Sequence, residues 1–124
     1  METFPAVPVL TVDRRVASLA ILGDSTGVGL GDPTPPGGWR GFGPLLVAAL
    51  GAPREIRYRN LSVIGARMAD LRHGQLPGAL AVQPDVAVIV AGMNDTLRSD
   101  FDPVAVRDDL DVTVTALQPL APWY

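Results

Sequence analysis

Three short stretches of this chain carry residue types suited to acyl chemistry, and each ends or follows an apolar run. Gly23-Asp24-Ser25 supplies a hydroxyl, Asn60 to Gly65 ends on a glycine, and Gly92-Met93-Asn94-Asp95 supplies a side-chain amide. Acyl transfer needs a nucleophilic hydroxyl and N–H donors aimed at the oxyanion that develops during attack. Ser25 can provide the first; the backbone N–H of Gly65 and the amide of Asn94 can provide the second. A glycine at 65 also lets a substrate approach its N–H closely. Taken singly, Ser25 reads as a turn serine and Asn94-Asp95 as an Asx-type turn. Their joint occurrence at successive strand ends favours the chemical reading, with Asp95 structural.

The elements that must position these residues form an alternating series. Val16–Leu22 is a short apolar run closed by Gly23, the pattern of a strand buried on both faces. Ser25–Gly38 is rich in Gly and Pro and reads as a loop. Trp39–Leu50 places apolar residues at helical spacing, closed by Gly51, with Trp39 and Phe42 as core anchors. Glu55–Leu61 alternates, Ile56 and Tyr58 against Arg57 and Arg59, as an edge strand with one wet face does. Arg67–Val82 reads as a helix with Leu71, Leu76 and Leu80 inward and a kink or split at Pro77. Val86–Ala91 is the clearest buried strand by composition. Asp102-Pro103 opens a last helix as N-cap and first-turn proline, with Val106, Leu110, Val114 and Leu117 inward. Alternation of this kind implies an α/β fold, a three-layer sandwich around a parallel sheet. Ligands of such sheets bind beyond the carboxyl ends of the strands, where Ser25, Gly65 and Asn94 fall.

Composition removes several alternatives. The chain has 124 residues, room for one domain, with residues 1–15 as a tail and 16–124 as the domain. All ten basic residues are Arg, so a phosphate-loop lysine and a Schiff-base lysine are excluded. There is no Cys, which excludes thiol catalysis and disulfides, and one His, which excludes a multi-histidine metal site. Asp108, Asp109 and Asp111 read as the wet face of the last helix. With a net charge of −3 nothing favours nucleic acid, and no run reaches the ~18 apolar residues of a membrane span. The N-terminus lacks a basic region and its apolar stretch is broken by Pro5 and Pro8, so the expected location is cytoplasmic. A flavodoxin-like nucleotide binder is disfavoured, because the glycines at 27, 29 and 31 do not fit Gly-x-Gly-x-x-Gly.

The three stretches resemble the sequence blocks of the SGNH (GDSL-type) hydrolases. Gly-Asp-Ser-Thr-Gly-Val-Gly from Gly23 is similar to the first block, Gly65 to the second, and Gly92-Met-Asn94-Asp95 to the Gly-x-Asn-Asp of the third. Leu-Gly-Asp-Pro followed by Gly-Gly-Trp-Arg-Gly resembles a bacterial esterase/lipase branch. The resemblance runs from about Leu19 to Leu117. It implies a flavodoxin-like parallel sheet and no metal or organic cofactor. It also implies a small-molecule ester or acyl substrate, Ser25 as nucleophile, and an oxyanion hole made by the Ser25 N–H, Gly65 and Asn94. The family's fourth block, an Asp-x-x-His near the C-terminus, has no counterpart at that place here.

Asp70-Leu-Arg-His73 has the same spacing but lies on the second helix. His73 would stand about 12 Å along that helix from Gly65 at ~1.5 Å per residue. A general base must reach within about 3 Å of the serine hydroxyl, so His73 is expected to be a solvated surface residue. The expectation is therefore a C-terminally truncated serine hydrolase, inactive alone. The alternative is a non-catalytic remnant that binds acyl groups or a partner without turnover. The third strand should offer an unpaired apolar edge through which chains can associate.

Overall fold

In the computed structural model, residues 16–51 and 55–118 are described. The proposed tail over 1–15 and the terminal stretch from Pro119 lie outside them. The elements run β1 (Ser18–Gly23), α1 (Ser25–Val28), α2 (Gly43–Gly51), β2 (Arg57–Asn60) and α3 (Met68–Asp70). A π-helical turn (Leu71–Gln75), α4 (Leu76–Val82), β3 (Val86–Val90), α5 (Met93–Thr96) and α6 (Pro103–Leu117) complete the series. The three strands form one parallel sheet in the order β2-β1-β3.

The central place falls to β1, and its burial follows from that place. Leu19, Ala20, Ile21 and Leu22 are all fully buried. Each large aliphatic side chain so buried contributes roughly 1.5–3 kcal/mol. Ala20 and Leu22 pack with Ala66, Met68, Leu71 and Ala79 into the main core, joined by Leu61, Ile89, Val106 and Leu117. Ile21 faces the other way, against Gly27 and the start of α2 at Gly43. Among the described residues β3 is flanked by β1 on one side only, and its residues are half-buried throughout. The most buried strand is thus β1 and not β3; composition does not reveal strand order. β2 is an edge strand as expected, with Arg57 and Arg59 exposed between Tyr58 and Asn60. Burial pushes the Tyr58 phenol above its ordinary pKa, partly offset by a hydrogen bond with Asn60.

Other departures from the sequence expectation have local causes. The stretch after β1 is not all loop: Ser25–Val28 forms one helical turn capped by the Asp24 carboxylate, which accepts from the Thr26 N–H at 3.0 Å. α2 starts at Gly43 instead of Trp39. Asp32 holds the preceding residues in the loop, accepting from Arg40 Nε at 2.9 Å and from the Gly41 N–H at 3.2 Å. Trp39 is consequently 44% exposed and is no core anchor, whereas Phe42 is half-buried.

The second helix is broken at Pro77, as its ring and missing N–H require. The break takes the form of a widened turn, in which the Leu76 N–H donates to the Leu71 carbonyl, five residues back. The change of phase turns Ala79 inward and leaves Leu80 exposed, while Leu71 and Leu76 are buried as expected. α6 begins where expected, Asp102 Oδ1 accepting from the Val104 and Ala105 N–H groups. Val106 and Leu117 reach the core; Leu110 and Val114 do not, and Thr113 is the buried residue between them. Its hydroxyl is satisfied by the Asp109 carbonyl at 2.7 Å. Asp109 pairs with Arg72 at 2.9 Å, tying α6 to the π-turn.

The cap of α6 gives a direct check. Asp102→Ala should lower stability to urea unfolding by about 1 kcal/mol, the usual worth of such a cap. An unchanged midpoint would mean that the α6 N-terminus is held by packing alone.

Candidate active site

Beyond Gly23 the sheet ladder ends, and the three strand ends are held together by other bonds. The Asp24 N–H donates to the Val90 carbonyl at 3.1 Å, joining the ends of β1 and β3. The Val63 N–H donates to the Gly23 carbonyl at 3.0 Å, joining the segment after β2. Gln75, 4% exposed, makes a two-way amide pair with the same residue. Its Oε1 accepts from the Gly23 N–H and its Nε2 donates to the Gly23 carbonyl, both at 2.9 Å. A side chain from the π-turn therefore replaces a strand at the residue two before Ser25. A Cβ at Gly23 would lie 2.6 Å from the Val90 carbonyl oxygen, so only glycine fits there.

Ser25 is the first residue of α1 and is partly exposed. Its N–H, at a helix N-terminus, has no intrahelical acceptor, and it makes no hydrogen bond among the described residues. Gly65 sits in a turn at φ +82°, a conformation that L side chains rarely adopt, which is the internal reason for glycine. No atom lies within 4 Å of where its Cβ would be, so the space beside it is open. Its N–H also lacks a hydrogen-bond partner among the described residues.

Asn94 lies in α5, which opens at Gly92 with φ +117°. The Asn94 Nδ2 donates to the Ala66 carbonyl at 3.0 Å. That bond uses one of its two amide hydrogens and fixes the plane of the other. Asp95, 3% exposed, is structural as expected: Oδ2 accepts from the Met68 N–H at 3.0 Å, and Oδ1 lies 3.6 Å from Arg67 Nε. Arg67 also bonds Asp100, and that bond holds the Asp100 carboxyl below its ordinary pKa. The Gly65 turn and the Asn94 turn are thus tied by two side-chain bonds, Asn94 to Ala66 and Asp95 to Met68.

His73 makes no hydrogen bond to Ser25 or Asn94, although it borders the same cavity as Gly65. It is exposed on the π-turn, in line with the surface role expected of it. Asp70 is occupied in a capping box, its Oδ2 accepting from the Arg67 N–H at 2.8 Å. Among the described residues no group of three or more acidic or His side chains is placed to hold a metal.

Three contributors escaped the sequence reading. Asn60 holds α1, its Nδ2 donating to the Gly27 carbonyl at 2.7 Å while its Oδ1 accepts from the Ser62 N–H at 3.0 Å. An Asn at a strand end was the available signal. Ser62 Oγ is buried against Gly27 and Gly23 without a hydrogen-bond partner. Gln75 had no signal of its own, because its inward direction depends on the π-turn. Gln75→Ala should cost about 2–3 kcal/mol in chemical denaturation, since it strands the Gly23 N–H in the interior. A loss under half a kcal/mol would show that water replaces the amide.

Comparison with known proteins follows the same lines. A chain of known structure, the crystal structure of TesA, superposes with a TM-score of 0.65 at 29% identity, covering 81% of this chain and 53% of that one. A GDSL-like lipase from Parabacteroides merdae superposes with a TM-score of 0.58 at 23% identity, over 82% of this chain and 55% of its own. The chain therefore spans about half the length of these structures. A search of curated proteins finds no match. The family described as GDSL-like lipase/acylhydrolase matches residues 21–123, taking in all three strand ends. On that match, and with the same α/β architecture in its structural neighbours, this chain belongs to the GDSL-like lipase/acylhydrolase family.

Proposed function

We propose that the chain carries the nucleophile and the oxyanion hole of a serine hydrolase acting on carboxylic esters, and that it lacks its own general base. The observation that supports this most is the pair of uncommitted backbone N–H groups at Ser25 and Gly65, beside an Asn94 amide already fixed by Ala66. The Ser25 hydroxyl attacks the ester carbonyl carbon, and the carbonyl electrons move to oxygen. The Ser25 and Gly65 N–H groups and Asn94 Nδ2 receive that oxyanion. Collapse breaks the C–O bond, the departing oxygen takes up the proton that Ser25 lost through the base, and the acyl-Ser25 left behind is hydrolysed by water. Each step needs a base hydrogen-bonded to Ser25, and His73, the single His of the chain, is exposed on the π-turn and makes no such bond. No cofactor enters the scheme.

That same observation about His73 is what favours the second reading, a domain that binds acyl groups without turnover. Hydrolysis of p-nitrophenyl butyrate by the 124-residue chain separates the two. Turnover should be weak, vanish in Ser25→Ala, and fall by about 10²–10³ in Asn94→Ala, the usual effect of removing an oxyanion donor. A background rate equal in the parent chain and Ser25→Ala selects the binding-only reading. Strong turnover that requires both Ser25 and His73 refutes the statement about the base.

Self-association belongs to the same proposal. The outer edge of β3, Val-Ala-Val-Ile-Val, has no partner strand among the described residues. Such an edge favours pairing with another chain, and a charge placed on it opposes pairing. Sedimentation should show dimers or larger species for the parent chain and a shift toward monomer for Val88→Lys. A parent chain that stays monomeric at high concentration contradicts the proposal.

A further inference from the structure

The three residues that follow Gly65 are each held from the Asn94 side. The Ala66 carbonyl accepts from Asn94, and the Met68 N–H donates to Asp95. Arg67, between them, supplies the one cation within ion-pair distance of Asp95 among the described residues. Its guanidinium faces two carboxylates in opposite situations. Asp95 is 3% exposed and its Oδ1 lies 3.6 Å from Nε, whereas the Asp100 side chain is 71% exposed and takes the other end of the group. That second contact is bidentate: Nη1 donates to Oδ2 at 3.3 Å and Nη2 to Oδ1 at 3.2 Å. A planar fork held at both ends has little freedom to turn, and a compact ammonium could not serve both carboxylates in that plane. Asp100 thus orients the guanidinium, and the guanidinium compensates the buried charge of Asp95. A charged Asp95 is in turn the stronger acceptor for the Met68 N–H. Without its cation the buried carboxylate would be uncompensated, and the Gly65 turn would loosen one of its two ties to Asn94.

We propose that Arg67 is a positioning residue of the oxyanion hole. Gripped by Asp95 on one side and by Asp100 on the other, it fixes the turn that presents the Gly65 N–H relative to Asn94. The proposal rests on the serine-hydrolase reading for the role of the two donors; the coupling of the two turns through Arg67 does not depend on it. The two grips differ in their response to salt. The Asp100 contact is exposed and is weakened by screening, whereas the buried Asp95 contact is screened much less.

Asp100→Ala in the 124-residue chain tests this without removing a buried group. The readout is the Gly65 backbone amide and the Asn94 side-chain amide in amide-resolved NMR. Both should shift in Asp100→Ala and, in the same direction, in Arg67→Lys. The double variant should move them no further than Arg67→Lys alone, because both changes break one contact. Raising salt from about 0.01 M to about 1 M shortens the screening length from ~30 Å to ~3 Å, and should carry the parent amides toward their Asp100→Ala positions. Asp111→Ala, which removes an exposed ion pair with Arg107 on α6, should leave them in place. Ser25-dependent hydrolysis of p-nitrophenyl butyrate should fall in kcat at unchanged KM in Asp100→Ala, by less than the about 10²–10³ of losing a donor outright. Unmoved Gly65 and Asn94 amides, or equal shifts from Asp111→Ala, overturn the proposal, as does a rise in KM at constant kcat. If Arg67→Lys does not fold, Asp100→Ala and the salt series decide alone. Hydrolysis unaffected by Ser25→Ala would refute the serine-hydrolase reading separately, and the amide shifts would still report whether Arg67 couples the two turns.

Discussion

The candidate site depends on how the backbone is held once the ladder of β1 runs out at Gly23. A parallel sheet gives Gly23 a neighbour in β3, but β2 ends at Asn60; beyond it the Val63 N–H still bonds the Gly23 carbonyl, and the Gly23 N–H is left without a strand partner. Gln75 completes the pairing: its Oε1 accepts from that N–H and its Nε2 shares the Gly23 carbonyl with Val63. Without it a buried N–H would go unpaired two residues before Ser25, at a cost comparable to a large fraction of a small domain's stability. The π-turn is what makes the amide available, and Pro77 is what makes the π-turn favourable. A local defect in a helix is thereby converted into a fixed backbone two residues before Ser25.

The other two strand ends are held by the same kind of bond. Asn94 and Asp95 are consecutive, and each reaches a different backbone group of the segment around Gly65: Ala66 through its carbonyl, Met68 through its N–H. These bonds set the mutual position of Gly65 and Asn94 without using the N–H of Gly65 itself. Asp95 therefore acts on geometry, which explains why it is buried while Ser25, Gly65 and Asn94 keep some exposure. The site is a set of turns cross-linked by side chains, resting on a single well-buried strand.

Much of this was legible in the sequence. The alternation of strands and helices, the edge character of β2, the cap at Asp102 and the three strand-end motifs all follow from local residue patterns. Strand order was not legible, because an apolar run reads alike whether it lies centrally or at an edge; β1 is buried on both faces as its pattern implied, while β3, the most apolar run, is only half-buried. Trp39 was misplaced because Asp32 acts across eight residues to hold Arg40 out of the helix. Leu80 and Ala79 exchanged faces because one extra residue in the turn before Pro77 rotates everything after it. Long-range hydrogen bonds and single-residue phase shifts leave no periodic trace. They were nonetheless what set Gln75 in place.

The central claim is that nucleophile and oxyanion donors are assembled here while the base is not. Chemical rescue tests it most directly: hydrolysis of p-nitrophenyl butyrate is followed as imidazole is added to the parent chain and to Ser25→Ala. Imidazole catalyses the reaction slowly by itself, so the difference between the two proteins is the readout. The account predicts an imidazole-dependent rate that saturates in the parent chain and exceeds the Ser25→Ala rate at every concentration. Identical dependence in both would contradict it, because Ser25 would then have no assembled site to be rescued.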